Sequence, residues 1–273
     1  MKPPSRSKFF ACGFAVVLSL AAAAMSAEVP EWLLKASRIP NPTLREGTPA
    51  VVLLAETVVT VRADGFETRV QRYAVRVLSR SGREFASGML FYTDKQDTVQ
   101  KAAAWVIRAG KEVRPAEKRE WTDLSAAGNG AVYSDARKRV IGYGDFALID
   151  DVFGYETCVE GKPLVAQEFA SWGSALPVVA ERFTLQLPAN WSVDAVVDGP
   201  LAASLRATTG PRTWMWELLD RPYRPDEPAM SDFARLDARL MVNLIPSAGQ
   251  LGACRTEKSA LPSVRPIFSR LLA

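Results

Sequence analysis

The chain has 273 residues, of which 48% are hydrophobic and 23% are charged, and it contains no histidine. Its apolar content is too high for a disordered chain, and its glycine and proline content is too low for a fibrous one. The absence of histidine excludes from this sequence every mechanism that uses imidazole as a base, an acid or a metal ligand.

Residues 1–27 have the pattern of a secretory signal peptide. A basic start precedes an apolar run over residues 9–20, and small residues follow up to Ala27. This pattern predicts cleavage after Ser26 or Ala27 and export to the periplasm or the extracellular space. An uncleaved anchor is the alternative, but the run is shorter than the roughly 20 residues that span a bilayer comfortably. We therefore expect no stable membrane insertion after cleavage.

The exported chain is nearly neutral. The signal segment carries three basic residues and no acids, so that 31 of the 34 basic residues and all 30 acidic residues remain. This balance gives no electrostatic footprint for nucleic acid or for an anionic lipid surface. The densest basic run, Arg137-Lys138-Arg139, is typical of a solvated strand end.

Strand patterns dominate the rest of the chain. Apolar and polar residues alternate over short segments, and turn residues such as Asp64-Gly65, Ser81-Gly82 and Gly110 separate these segments. The predicted strands include, in chain order, residues 51–61, 72–77, 105–107, 152–159, 183–187, 214–216 and 240–244. Helical spacing of apolar residues is convincing only near the C-terminus, at Val264, Ile267, Phe268, Leu271 and Leu272.

These patterns predict an all-β protein. The expected architecture is a two-sheet antiparallel β-sandwich, with a cleaved N-terminal signal peptide and a short C-terminal helix. The expected organisation is a signal peptide at 1–27, an N-terminal extension at 28–48, a sandwich module at 49–246 and a tail with a helix at 247–273.

Between about Val51 and Ile245, the order of features resembles the domain of unknown function 3857 family. The resemblance rests on the segments Ala104-Trp105-Val106-Ile107 with Gly110-Lys111-Glu112-Val113, Val132-Tyr133-Ser134-Asp135-Ala136-Arg137, residues 152–156, and Leu176-Pro177-Val178-Val179 with residues 183–188. The chain departs from the family at Asp150-Asp151, where glycine is usual, and at Trp172-Gly173, where an aromatic-Gln pair is common.

The resemblance also implies a partner. In bacteria this family usually precedes a transglutaminase-like domain in exported proteins. The tail at 247–273 resembles the entry to such a domain, but no Cys-His-Asp set follows it in this sequence. The implied partner is therefore a transglutaminase-like domain or another envelope protein.

Tyr133, Asp135 and Arg137 form the most distinctive candidate site. On an extended segment, Asp135 and Arg137 lie on the same side, where they either pair or present a charged docking spot. The structural alternative is that Asp135 caps a turn and Arg137 braces a loop against the sandwich.

Trp214 and Trp216 form the second candidate site. They share one face of a predicted strand, and an exposed pair of this kind stacks against sugar rings in many carbohydrate-binding modules. The alternative is that both rings fill the layer between two sheets, and their solvent exposure distinguishes these interpretations.

Cys158 and Cys254 are the cysteines of the exported chain. An even count in an exported protein permits one disulfide, although two free thiols are the alternative. We expect no catalytic residue, because a cysteine nucleophile needs an activating neighbour and histidine is absent. We also expect no metal site and no cofactor.

Three functions follow from these observations. The leading hypothesis is a non-enzymatic module that positions or regulates a transglutaminase-like domain, or binds a peptide or protein partner by strand addition. The second is a module that binds carbohydrate or another cell-envelope polymer through Trp214 and Trp216. The third is a truncated peptidase-like enzyme.

Overall fold

The computed structural model describes residues 29–126, 135–163, 166–189, 191–222 and 237–246, and strands dominate them, which confirms the mostly-β prediction. None of the helices in these ranges is long and apolar enough to cross a membrane. The elements are α1 (Glu31–Ser37), β1 (Ala50–Val61), β2 (Glu67–Val77), β3 (Ser87–Thr93), β4 (Thr98–Arg108), β5 (Lys111–Val113), β6 (Thr122–Ser125), β7 (Ala136–Gly142), β8 (Val152–Gly161), β9 (Gln167–Trp172), β10 (Val178–Gln186), β11 (Ser192–Asp198), β12 (Arg206–Thr209), β13 (Thr213–Arg221) and β14 (Ala238–Ile245), with short 3-10 turns at Ser81–Phe85 and Ala202–Ser204.

The described strands form three sheets. The large sheet has eight strands in the order β12-β13-β10-β1-β2-β8-β4-β5, and the small sheets have the orders β11-β14-β9 and β3-β7-β6. β1 and β10 run parallel, whereas the other pairs are antiparallel. The expected architecture was a pair of antiparallel sheets, whereas the structure has three sheets and the large one is mixed. It is mixed because the long connection from β2 to β10 brings β10 back parallel to β1.

The two small sheets cover one face of the large sheet at opposite ends. The sheet β3-β7-β6 packs over a core that includes Val75 and Phe153. The sheet β11-β14-β9 packs over a second core that includes Phe183 and Trp172. A groove runs between the two small sheets, and the candidate site lies in it.

Helix α1 covers the opposite face of the large sheet. Leu33 and Ala36 are buried against a third core from β1, β2, β4 and β8. Gly154 makes this contact possible, because a Cβ at that position would lie 2.4 Å from Cδ1 of Leu33. The segment expected as an N-terminal extension therefore contains a helix that packs on the domain.

A ladder of alternating charges crosses the same face beyond α1. Neighbouring strands place one charged residue each in a single row, and adjacent residues in the row have opposite signs. In strand order the row is Arg206, Glu217, Arg182, Glu56, Arg72 and Glu156. Lys101 of β4 is two positions out of register with this row and also contacts Glu156. Arg72 bridges Glu56 at 2.9 Å and Glu156 at 2.8 Å. The ladder neutralises itself across the sheet.

Replacing Arg72 with methionine is expected to reduce the free energy of unfolding by about 1–2 kcal/mol. The change removes the guanidinium from two partly buried carboxylates, although Lys101 still contacts Glu156 at 2.5 Å. Urea denaturation measures the effect. Arg114→Met is the matched control, because Arg114 pairs only with Glu112 at an exposed site and should change stability by less than about 0.5 kcal/mol. Equal effects of both variants would contradict a structural role for the ladder.

Candidate functional site

Strand β9 has an open edge along the groove. Among the described residues it pairs only with β14, where the Leu244 N–H donates to the Ala166 carbonyl at 2.9 Å. In an antiparallel ladder the bonding direction alternates, so the main-chain groups of Gln167, Phe169 and Ser171 point away from β14. This edge presents N–H and C=O groups to any strand that lies in the groove.

Two cavities beside β9 make up the groove, which we call the β9 groove. The first, of about 280 Å³, lies between residues 169–172 of β9 and side chains of β2, β8 and β10, including Gln71 and Tyr73. The second, of about 250 Å³, adjoins it at Arg69 and extends along Gln167 and Glu168 to Phe91 of β3. The groove therefore follows the whole length of β9 and reaches the edge strand of the other small sheet.

A buried cluster of two acids and one arginine lies at the first cavity. Arg221 is 5% exposed and contacts Asp237 at 2.6 Å and Glu181 at 3.4 Å. Burial raises the pKa of Glu181 to about 7, although Arg221 acts in the opposite direction. Asp237 raises this pKa further. Glu181 is thus held more weakly by Arg221 than Asp237 is, and it lines the cavity.

A second cluster with the same composition lies at the other cavity. Arg69 contacts Glu168 at 2.5 Å and Glu67 at 2.8 Å, and both acids are buried. Burial raises the pKa of Glu168 well above its usual range; Arg69 opposes this rise and Glu67 adds to it. The groove therefore has an acid with a raised pKa beside an arginine at each end.

Aromatic rings lie on the floor and at the rim of the groove. Tyr73 and Tyr155 stack with their ring centroids 5.5 Å apart. Burial raises the pKa of both phenols, that of Tyr155 to about 12, so both remain neutral at physiological pH. Phe169 and Phe91 are 61% and 60% exposed on the facing strands β9 and β3. Large apolar side chains this exposed are typical of interaction surfaces when they flank a groove.

The first predicted site is not assembled as the sequence suggests. Arg137 pairs with Asp123 at 2.8 Å rather than with Asp135, and Arg139 contacts the same carboxylate at 3.1 Å. Tyr92 also donates a hydrogen bond to Asp123, and this bond is the largest cause that lowers the pKa of Asp123 to about 2. Asp135 accepts the Asp94 N–H through its main-chain carbonyl. Tyr133 lies outside the described residues. Arg137 thus braces β6 against β7.

The two predicted tryptophans lie in the second core. Trp216 is 5% exposed and its ring lies 6.1 Å from that of Phe183, while Trp214 is half-buried beside it. Both side chains point between β13 and the sheet β11-β14-β9. At this depth the Trp216 ring has no open face for stacking, so the two rings do not together form the expected platform.

The cysteines form no reactive centre in the described part of the chain. Cys158 is a free, half-buried thiol on β8, and its suggested partner Cys254 lies outside the described residues. Burial raises the pKa of the Cys158 thiol, which is the reverse of what a nucleophile needs. Within the described ranges no three metal-ligating side chains come together.

The sequence analysis did not identify the residues of the β9 groove. Glu67 and Arg69 differ by two positions, which places them on one face of a strand, and this was the available local signal. Their partner Glu168 is about one hundred residues away, and no spacing rule connects them.

Comparison with solved structures indicates a fold shared with part of a longer protein. A structure from Parabacteroides distasonis ATCC 8503, described only provisionally as a protease, matches with a TM-score of 0.59 and 12% identity over 71% of this chain. This chain spans 40% of that one. Yeast LTA4 hydrolase in complex with bestatin matches with a TM-score of 0.36, 9% identity and coverage of 79% and 33% of the two chains. The M1 zinc metallopeptidase from Deinococcus radiodurans matches with a TM-score of 0.34 and 12% identity, over 74% of this chain and 44% of that one. The last two TM-scores are too low to support an inference.

Sequence comparison identifies the family. No curated protein matches the chain. A family model described as a domain of unknown function with a solved structure, DUF3857, matches residues 63–224, which is more than half of the chain. The matched range contains β2, β9 and β10, which carry most of the groove. The chain belongs to the DUF3857 family.

Proposed function

We propose that this protein is an exported, non-enzymatic module that binds an extended peptide segment of a protein partner in the β9 groove. The observation that carries the proposal is the open edge of β9, which runs the length of a groove and presents main-chain groups at Gln167, Phe169 and Ser171. An added strand would satisfy these groups as in other cases of strand addition.

The proposed partner belongs to a transglutaminase-like domain or to another envelope protein. The family resemblance supports this partner. Export is supported by the signal-peptide pattern at 1–27, which lies outside the described residues. The near-neutral exported chain favours neither nucleic acid nor an anionic membrane as partner.

A non-enzymatic role is supported by the chemistry of the groove. Its acids are tied to Arg69 and Arg221, its tyrosines remain neutral, and the sequence contains no histidine. These groups are suited to holding a chain in place.

Replacing Ser171 with proline is expected to abolish peptide binding without unfolding the protein. The Ser171 N–H points into the groove and not to β14, so proline removes a donor that only an added strand would use. Ser171→Val is the matched control, because it keeps the N–H. Fluorescence anisotropy with labelled neutral, basic and acidic peptides of about nine residues measures binding, and circular dichroism verifies folding.

Hydrogen exchange gives a second measurement of the same prediction. Binding by strand addition should slow exchange of the Phe169 and Ser171 amides in the unsubstituted protein. If a peptide binds equally well to Ser171→Pro and Ser171→Val, and these amides stay unprotected, strand addition at β9 is wrong.

A further inference from the structure

The β9 groove holds more carboxylates than guanidinium groups. Glu181 shares Arg221 with Asp237, and Arg69 is shared by two acids at the other end. The Arg69 cluster therefore has an excess negative charge when its acids are ionised. At the other cluster Glu181 is only loosely compensated, because Arg221 lies 3.4 Å from it and closer to Asp237. An excess charge at a buried position is costly, and an arriving cation would offset that cost.

The two clusters are spaced along one strand. Glu168 belongs to β9, and Trp172, four residues further on, donates its indole N–H to the main-chain oxygen of Glu181 at 3.3 Å. Four residues of extended chain cover roughly 13 Å. A strand added to β9 would pass both clusters, and its side chains at positions i and i+4 would point to the same face.

The floor beside Glu181 also suits a cation. Tyr73 and Tyr155 line the same cavity as Glu181, and their stacked rings stay uncharged. Aromatic faces attract ammonium and guanidinium groups, most strongly where water is excluded. Arg69 does not cancel this attraction, because two carboxylates already surround it.

We propose that the β9 groove selects an extended basic segment whose Lys or Arg side chains stand four residues apart. One side chain is directed toward Glu181 and the other toward Glu168. This inference rests on the proposed function, because it names the chemistry of the segment that adds to β9.

The test compares peptides of equal length and composition. The first, acetyl-Ser-Thr-Lys-Val-Thr-Val-Lys-Thr-Ser-amide, has its lysines four positions apart. The second has them three positions apart, which places them on opposite faces of a strand. The third has glutamate for lysine, and the fourth has threonine. At about pH 8 and low salt, the first should bind at least about 10-fold more tightly than each of the others, and added salt should reduce this preference.

The Glu181→Gln variant tests whether the preference for the first peptide arises in the groove. This variant should weaken binding of the first peptide about 10-fold and leave the neutral peptide unaffected. Glu217→Gln is the control, because Glu217 lies on the opposite face of the large sheet, in the charge ladder. Both variants retain a hydrogen-bonding side chain of the same size.

The outcomes separate this inference from the proposed function. If neutral and basic peptides bind equally and both protect the Phe169 and Ser171 amides, strand addition stands and selection for a basic segment is wrong. Equal binding of the two lysine spacings would also overturn it. If no peptide binds and neither amide is protected, the proposed function fails as well.

Discussion

Replacing Arg221 with methionine is expected to lower the free energy of unfolding by about 3–5 kcal/mol. Arg221 is almost fully buried, and its guanidinium contacts Asp237 at 2.6 Å, Glu181 at 3.4 Å and the Ser174 carbonyl at 3.0 Å. Methionine fills much of the same volume but supplies no charge. Buried Asp237 and partly buried Glu181 then lose the guanidinium that offsets their desolvation, and this loss dominates the cost.

Urea denaturation at about pH 7 measures this effect as a change in midpoint at constant slope. Arg182→Met is the matched control, because the Arg182 side chain is 37% exposed in its pair with Glu217 and the change should cost no more than about 1 kcal/mol. The structure also predicts that the cost of Arg221→Met falls at lower pH, where Glu181 is protonated. A cost that is small, or that is the same at about pH 7 and at lower pH, would show that Arg221 does not offset the desolvation of Glu181 and Asp237.

The positions of many strands could be predicted from the sequence. Residues 51–61 lie in β1, residues 152–159 lie in β8, and residues 240–244 lie in β14. β14 buries one face and leaves the other partly exposed, so the period of two is visible there, whereas β1 and β8 begin with residues buried on both faces and are marked by their β-branched and aromatic residues. The turn after Trp105–Ile107 was also predicted, and Ala109 and Gly110 there have φ values of 50° and 77°, as a two-residue hairpin requires.

Other features could not be predicted because they depend on distant residues. Helix α1 has only seven residues, and it is stabilised by Leu33 packing over Gly154, more than one hundred positions away. Neither the sequence of β1 nor that of β10 contains a local pattern that indicates their parallel pairing. Asp151 reads as a turn acid facing water, yet it is 1% exposed and bonded twice to Arg108.

The candidate site shows the same limitation. Local reasoning selected Arg137 and Asp135 because they share a side of one segment, but Arg137 pairs across strands with Asp123. It selected Trp214 and Trp216 because they share one face of a strand, but the spacing does not show whether that face is buried or exposed. Glu181 and Arg221 drew no attention, because only the antiparallel pairing of β10 with β13 brings them together.

The second large effect concerns pH. The folded protein is expected to lose stability as pH rises from about 4.5 to about 7, and to change little above that range. Burial holds the pKa of Glu181 at about 7, above its ordinary value of 4.5. The native state therefore keeps a proton that the unfolded chain releases, so raising the pH favours unfolding. At about 1.4 kcal/mol per pKa unit, Glu181 alone accounts for about 3 kcal/mol, and Glu168 acts in the same direction.

Glu181→Gln should remove most of this slope, because glutamine cannot ionise. Near pH 8 the variant should therefore be more stable than the unsubstituted protein by about 2–3 kcal/mol, whereas near pH 4.5 the two should be equal. Glu217→Gln is the control, since Glu217 pairs with Arg182 on the opposite face of the large sheet and its variant should keep the full slope. Urea midpoints at several pH values decide the matter. The contrary outcome is a Glu181→Gln protein that is less stable than the unsubstituted protein near pH 8. It would mean that the Arg221 contact outweighs the desolvation of Glu181. The Glu181 carboxylate would then be fully compensated in the empty groove.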